Sequence, residues 1–432
     1  MLRFLGILAA PVIVSSAFGQ ASNGDPAADE QEALLRIPGV RSLTLTGELR
    51  WRFESRLNYD FNDGAGANPS FVDQRTRIAF DLDIDDDLRA FLQLQDARTF
   101  GEESSSLDRS ADGLDLHQGY LDWRNPLDDQ SLLRVGRQEI SLGDQRLVSS
   151  LNWATQARTF DGGLLNMELI DNVGLAAWFL ITREDKLLND HQGQYFFGVQ
   201  ASCDVPDSIV RGDVYIMGLI DEETPADSTA NRWTAGTLIK AKEGDVDASF
   251  EGAYQFGEED KLDIADASAI HAGGGYTLAD LPWTPRVGVE YNMATGDDPA
   301  TTARERFNTL FPFAHFYFGY MDFALWENIS HFAVAVQATP KEKHKVKLAW
   351  HNFHADEPKD RFSGPTITLS PSGIGGAAHM GDEVDFTWRH AITGGLWGEL
   401  GLSVFLPGDG VLDAKGFDDT AYFVYYMAGL KF

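Results

Sequence analysis

The chain has 432 residues, 42 of them Gly and 16 Pro, and carries 66 Asp and Glu against 35 Lys and Arg, a formal net charge of −31. That length suits two or three soluble domains or one large barrel, while the charge argues against nucleic acid as a partner, because phosphates would be repelled, and against docking on anionic headgroups. Past the N-terminus no apolar run is long enough for a transmembrane helix. A barrel escapes that test, because only every second residue of a strand faces lipid.

Residues 1–21 read as a secretory signal peptide. Arg3 supplies the positive start, Phe4 to Val14 is apolar, and Ala17-Phe18-Gly19 or Gly19-Gln20-Ala21 offers a cleavage site. The apolar run is too short to anchor the chain by spanning. No Cys follows it, which excludes a lipoprotein anchor. The single cysteine, Cys203, can form no internal disulfide and reads as structural. Residues 22–42 are polar and acidic and read as a periplasmic lead-in.

From residue 43 to 432 the chain reads as about 18 stretches of alternating apolar and polar residues. In the first, Leu43, Leu45, Gly47, Leu49, Trp51 and Phe53 share one face, and Thr44, Thr46, Glu48, Arg50, Arg52, Glu54 and Arg56 the other. In the second, Ile78, Phe80, Leu82 and Ile84 oppose Arg75, Arg77, Asp81 and Asp83. After the turn at Asp85–Asp87 comes 88–98. Further strands are expected near 114–124, 131–138, 158–168, 173–183, 194–203, 209–220, 232–242, 246–256, 266–277, 285–294, 329–339, 343–354, 380–392, 395–406 and 420–432. The gaps alternate in length. Short turns fall at 85–87, 125–130, 170–172, 204–208, 243–245, 279–284, 340–342 and 393–394. Long loops fall at 57–73, 99–113, 139–157, 184–193, 221–231, 257–265, 295–328, 355–379 and 407–419. An even number of strands with loops sorted this way predicts an all-β, transmembrane antiparallel barrel in a Gram-negative-type outer membrane, with short periplasmic turns and long extracellular loops.

The last strand ends on Phe432, with Tyr422, Val424, Tyr426, Ala428 and Leu430 on the same face. A terminal aromatic of this kind is the feature that outer-membrane assembly machinery reads. Trp51, Trp123, Trp178, Trp233, Trp350 and Trp388 near strand ends suggest an aromatic girdle. The acidic outer loops suggest solvation, or divalent cations shared with lipopolysaccharide. Loop 295–328, with Phe307, Phe311, Phe313, Phe316, Tyr317 and Phe318, is too aromatic to stand in water, and is expected to fold inward or pack on the rim.

The segment Arg134-Val135-Gly136-Arg137-Gln138-Glu139-Ile140-Ser141-Leu142-Gly143-Asp144-Gln145-Arg146-Leu147, followed by Trp153 and by Arg158-Thr159-Phe160-Asp161-Gly162, resembles the signature of the alginate-export porin family. The segment from Arg306 to Asp322 resembles that family's second landmark. The resemblance implies an 18-stranded outer-membrane barrel, and in its best-known member a cation-lined constriction that passes an anionic polysaccharide. That member also has a long periplasmic turn between its sixteenth and seventeenth strands. Here the corresponding turn is Thr393-Gly394, which puts alginate itself in doubt as the solute.

The lumen face carries Arg50, Arg52, Arg56, Arg75, Arg77 and Arg89. Arg134, Arg137, Arg146 and Arg158 follow in the motif, and Lys345 and Lys347 come later. Neighbouring strands would place the first ten along one arc, where guanidinium groups attract anionic solutes and hold carboxylates bidentately. The opposing reading is that they brace the wall against Glu48, Glu54, Asp81, Asp83, Glu139 and Asp161. Glu290, Glu383, Asp385 and Glu399 would make the opposite wall acidic. On the first reading, Arg75→Ala with Arg77→Ala, or Arg137→Ala with Arg146→Ala, shifts selectivity towards cations at low salt.

The function expected is an outer-membrane channel for anionic or polar solutes, with no cofactor, no metal and no catalytic residue. Two rivals are a general diffusion porin and a structural or adhesive barrel. A third, an outer-membrane hydrolase, would need a serine or acid beside a histidine. His351 and His354 lie on opposite faces of their strand and form no site on their own.

Overall fold

The computed structural model describes residues 38–64, 68–101, 112–184, 193–204, 208–223, 228–370 and 376–432. The expected signal peptide, most of the lead-in, and the central parts of loops 99–113 and 184–193 lie outside these residues.

The strands are β1 (Ser42–Leu57), β2 (Ser70–Asp83), β3 (Leu88–Phe100), β4 (Asp112–Arg124), β5 (Leu132–Gln138), β6 (Phe160–Ile170), β7 (Val173–Glu184), β8 (Gly193–Cys203), β9 (Val210–Glu223), β10 (Ser228–Glu243), β11 (Val246–Glu259), β12 (Leu262–Thr277), β13 (Arg286–Ala294), β14 (Ile329–Lys341) and β15 (His344–His354). A two-stranded hairpin follows, β16 (Phe362–Ser363) with β17 (Thr368–Leu369). The series ends with β18 (His379–Thr393), β19 (Leu396–Pro407) and β20 (Ala421–Lys431). All but the small hairpin form one 18-stranded antiparallel sheet. Each strand pairs with its predecessor, and β20 pairs with β1, from Glu48 opposite Lys431 to Leu57 opposite Tyr422. The sheet is therefore a closed barrel with no free edge.

Alternation decides which face meets lipid. On β1, Leu45 (58% exposed), Trp51 and Phe53 point outward, whereas Arg50, Arg52 and Glu54 are buried inside. Two expectations are corrected. Segments 221–231 and 257–265 are not long loops. β9 runs to Glu223 and β10 begins at Ser228, while β11 and β12 are joined through Asp260 and Lys261. Both of those residues have positive φ (52° and 66°), as a tight hairpin turn requires. Trp178 does not belong to the outer girdle. It is buried on the inner face against Phe196 (ring centroids 5.7 Å apart). On β7 both faces are apolar, so alternation could not tell them apart.

Two glycines of the motif are required by the backbone. Gly136 (φ 134°) and Gly162 (φ 153°) face each other across β5 and β6. A Cβ on Gly136 would lie 2.2 Å from the carbonyl oxygen of Gly119, and one on Gly162 2.2 Å from that of Phe179.

Two long loops enter the barrel instead of standing above it. Segments 139–159 and 295–328 are stitched together by main-chain bonds. Ser149 N–H donates to Phe311 O (2.8 Å), Phe311 N–H to Leu147 O (2.8 Å) and Phe313 N–H to Gln145 O (2.9 Å). The second loop contains the short helix α1 (Ala314–Tyr317), and its Phe307, Phe318, Phe323 and Trp326 are fully buried. Its aromatic content is satisfied by the barrel interior, as expected. A second short helix, α2 (Asp409–Lys415), lies between β19 and β20.

Candidate functional site: a pinned constriction in the lumen

The arginines of β1 and β2 hold the first loop by its main chain. Arg50 donates to Asn152 O (2.6 Å) and Ala154 O (3.1 Å). Arg75, opposite it in register, donates to the same two carbonyls at 3.2 Å and pairs with Glu48 at 2.6 Å. Arg52 donates to Trp153 O, pairs with Asp73 (2.7 Å) and Glu54 (2.6 Å), and lies 4.2 Å over the Trp153 ring. Arg77 donates to Gln95 (2.7 Å) and to the Asn152 side chain (3.1 Å) and pairs with Glu139 (3.2 Å). These four guanidinium groups are buried.

The other predicted cations are placed differently. Arg89 is clamped by Asp81 and Asp122, and Arg134 by Asp122 while lying 3.8 Å over Tyr120. Arg137 is bidentate to Asp161 (2.9 and 2.8 Å) and more open, with its side chain 38% exposed. Arg146 leaves the expected arc. The inward loop carries it across the lumen to Glu290 (2.9 Å), Asn292 and His271, over the Tyr317 ring. Arg158 donates to Ser149 O (2.9 Å) and Phe311 O (2.7 Å), joining the two loops, and burial lowers its pKa to about 10. Lys345 is exposed, and Lys347 is half-buried near the rings of Phe316 and Tyr320.

The remaining motif residues are structural neighbours of this constriction. Gln138 is fully buried and donates to Gly136 O and Gly162 O. Phe160 packs edge-on against Phe311, Trp153 stacks on His315 at 3.7 Å, and Gly143 takes a positive φ of 53°.

Glu139 receives His117 Nε2 (2.8 Å) and Asn152 Nδ2 (3.1 Å). Burial pushes its carboxyl up, but the bond from His117 and the charge of Arg77 prevail and hold its pKa below the ordinary 4.5. The folded pKa is depressed, so its contribution is complete above the unfolded value and is lost as pH falls through the lower folded one. We expect the first loop to loosen below about pH 4.5, read as rising current noise in a planar bilayer. Glu139→Gln should flatten this acid response. An identical response in the variant would assign it to other carboxylates.

A buried polar chain on the opposite wall was not legible as a unit. His271 Nδ1 meets Asn292 Oδ1 (2.8 Å), Asn292 Nδ2 meets His331 Nδ1 (2.9 Å), His331 Nε2 meets His351 Nδ1 (3.0 Å), and His351 Nε2 lies 3.4 Å from Asp385. Glu383 accepts Met321 N–H (2.9 Å), and Asp385 accepts Tyr320 N–H (3.3 Å), so this wall holds the second loop by its main chain. Lumen-face positions of histidine were the available signal, but their pairing needed strand register. Ser249 Oγ also lies 2.9 Å from His271 Nε2. Arg146 lies 3.2 Å from that same nitrogen, which is thus shared with a permanent cation inside a structural network rather than held ready as a base.

The family model for alginate export matches residues 41–424. A sequence search of curated proteins finds no match. Among solved structures, Pseudomonas aeruginosa OccK11 (OpdR) is similar at 14% identity, covering 92% of this chain and 100% of that one with a TM-score of 0.61. Acinetobacter baumannii OccAB1 is similar at 12% identity, covering 91% and 97%, also at 0.61. Pseudomonas aeruginosa OccK2 (OpdF), solved in complex with glucuronate, is similar at 10% identity, covering 91% and 97%, at 0.60. These likenesses concern the fold. The family match spans nearly the whole barrel and includes the segment that forms the constriction, so this chain, an outer-membrane β-barrel, belongs to the alginate export family.

Proposed function

We propose that this protein is an outer-membrane diffusion channel for anionic or polar solutes, acidic saccharides among them, working without cofactor or turnover. The observation that carries this reading is the interior. A closed barrel of 18 strands is lined by ionised side chains and narrowed by two loops that are fastened by hydrogen bonds. A wall built this way sets a local field that the acidic average of the chain does not govern. Family membership supports the reading, and the glucuronate bound to one similar barrel accords with the solute class. The turn between β18 and β19, at Gly394 and Gly395, leaves gating to the loops that fold inward. Lipid covers the outer face, and we assign lipopolysaccharide to the outer rim and the assembly machinery to the β20 end at Phe432. An N-terminal signal over residues 1–21 would deliver the chain to the envelope.

One observation favours a second reading. The aromatic cluster of the second loop fills part of the lumen, as in a barrel sealed for a structural role. Planar-bilayer recording decides between them. The channel reading expects discrete conductance steps and a reversal potential on the anion side in a salt gradient. Closed membranes in every salt would establish the sealed barrel, and conductance without anion preference would establish a general porin.

A further inference from the structure

Towards the short turns, the lumen face of β15 and β18 carries the exposed cations Lys345 and Arg389, beside Trp397 on β19. Arg389 on β18 lies with Cζ 4.5 Å over the ring of Trp397 on β19, and its side chain is 54% exposed. Its ion pair with Glu399, at 3.5 Å, runs through Nη1, and that carboxylate also accepts the Tyr425 hydroxyl at 2.9 Å. Lys345 faces Arg389 across the strand pair and is exposed.

The seat of Trp397 is built by a glycine. Gly429 on β20 pairs with Trp397, and a Cβ there would lie 2.5 Å from the indole, so the ring rests on bare backbone. Among the described residues its indole N–H has no hydrogen-bond acceptor. Two residues further along β15, about 7 Å by strand geometry, the Lys347 ammonium stands 5.6 Å from the Phe316 ring centre and 5.4 Å from that of Tyr320. No carboxylate lies within ion-pair distance of it among the described residues. The β2–β5 side of the lumen contrasts with this, because Arg89 and Arg134 there are each held by paired bonds to Asp81 and Asp122.

We propose that Arg389, Trp397 and Lys345 form a binding station for a solute carboxylate at the short-turn mouth of the lumen, from which the solute passes to Lys347 beneath the loops. A guanidinium seated over an indole and holding one carboxylate through Nη1 still has further N–H donors for a solute carboxylate. The indole N–H and the Lys345 ammonium add donors beside it. This deepens the channel reading and rests on it.

Glucuronate titrated into the purified barrel in detergent, followed by tryptophan fluorescence, tests the station. The wild type should give a saturable change that weakens with salt, while glucose, the same ring without the charge, should give none. Trp397→Phe should remove the change. Arg389→Ala should weaken binding roughly tenfold, and Arg389→Lys should retain part of it. Gly429→Leu, which displaces the ring without touching a charge, should weaken binding as well. Heat-modifiable migration confirms that each variant is folded. If Arg389→Ala binds as the wild type does, or glucose matches glucuronate, the station is wrong. If the wild type shows no saturable change yet conducts with anion preference, the station fails and the channel stands. If it binds glucuronate but never conducts, the station stands and the channel reading fails.

Discussion

Arg50→Ala combined with Arg75→Ala should enlarge the single-channel conductance while the barrel still assembles. Both guanidinium groups grip Asn152 O and Ala154 O, and both face the interior, where their loss does not touch the lipid face. Removing them frees the tip of the first loop and leaves Glu48 without the 2.6 Å contact that neutralises it. Deleting one partner of a buried charge pair costs about 3–5 kcal/mol. The loop itself loses its bonds from Arg50 and Arg75 to Asn152 O and Ala154 O, about 1.5–3 kcal/mol for each hydrogen bond to a charged group, and a few kcal/mol moves a two-state element almost completely. The measurement is the distribution of conductance steps in a planar bilayer beside the wild type. Unchanged steps from a normally folded double variant would mean that the second loop alone holds the constriction. The sequence suggests a different outcome for Arg75 and Arg77, a shift in selectivity. Their burial under the loop makes pore size the first quantity to respond, with selectivity following from whatever the released loop uncovers.

Gly162→Val should abolish the folded, heat-modifiable form of the barrel. Its backbone, at φ 153°, is one that side chains avoid, and the added Cβ would sit 2.2 Å from a carbonyl oxygen of the paired strand β7. Neither problem can be relieved by rotating a side chain, so the pairing of β6 with β7 must shift. The expected cost is on the order of 4 kcal/mol or more. Gly244→Asn is the control. Gly244 also has a positive φ, 57°, but lies in the turn between β10 and β11 with nothing within 4 Å of a built Cβ, and asparagine tolerates that conformation. Normal migration of Gly162→Val on unheated gels would show that the β6–β7 ladder adapts more freely than its geometry implies.

Strand order and closure were legible because a barrel in lipid must alternate, and β1 and β2 alternate without interruption. The expectation weakened where both faces are apolar. On β7, Trp178 and Leu180 point into an interior packed with Phe160 and Phe196, so period two gives no sign of which face is outside. Loop length was misjudged at Asp260 and Lys261, where charged residues make a tight turn and look like loop composition. The arginines were legible as lumen-facing. Their partners were not, because the groups they hold are main-chain carbonyls about a hundred residues away, and a carbonyl leaves no mark in a sequence. Arg146 shows the same limit: its place in the motif suggests the wall beside β5, but the inward loop delivers it to Glu290 on β13.

The grip on Asn152, Trp153 and Ala154 is made through their backbone oxygens. That part of the hold uses what every residue possesses, while the Asn152 amide and the Trp153 ring add contacts that only those residues can make. Where a tip residue is held by its carbonyl alone, as at Ala154, its side chain can be exchanged without unfastening the loop, provided the chain path is kept. Among descendants of one barrel, the size and chemistry of the passage are therefore free to diverge while the frame around it stays the same. A single scaffold can in this way be retuned to new solutes by substitutions at the tip positions whose side chains carry none of the hold.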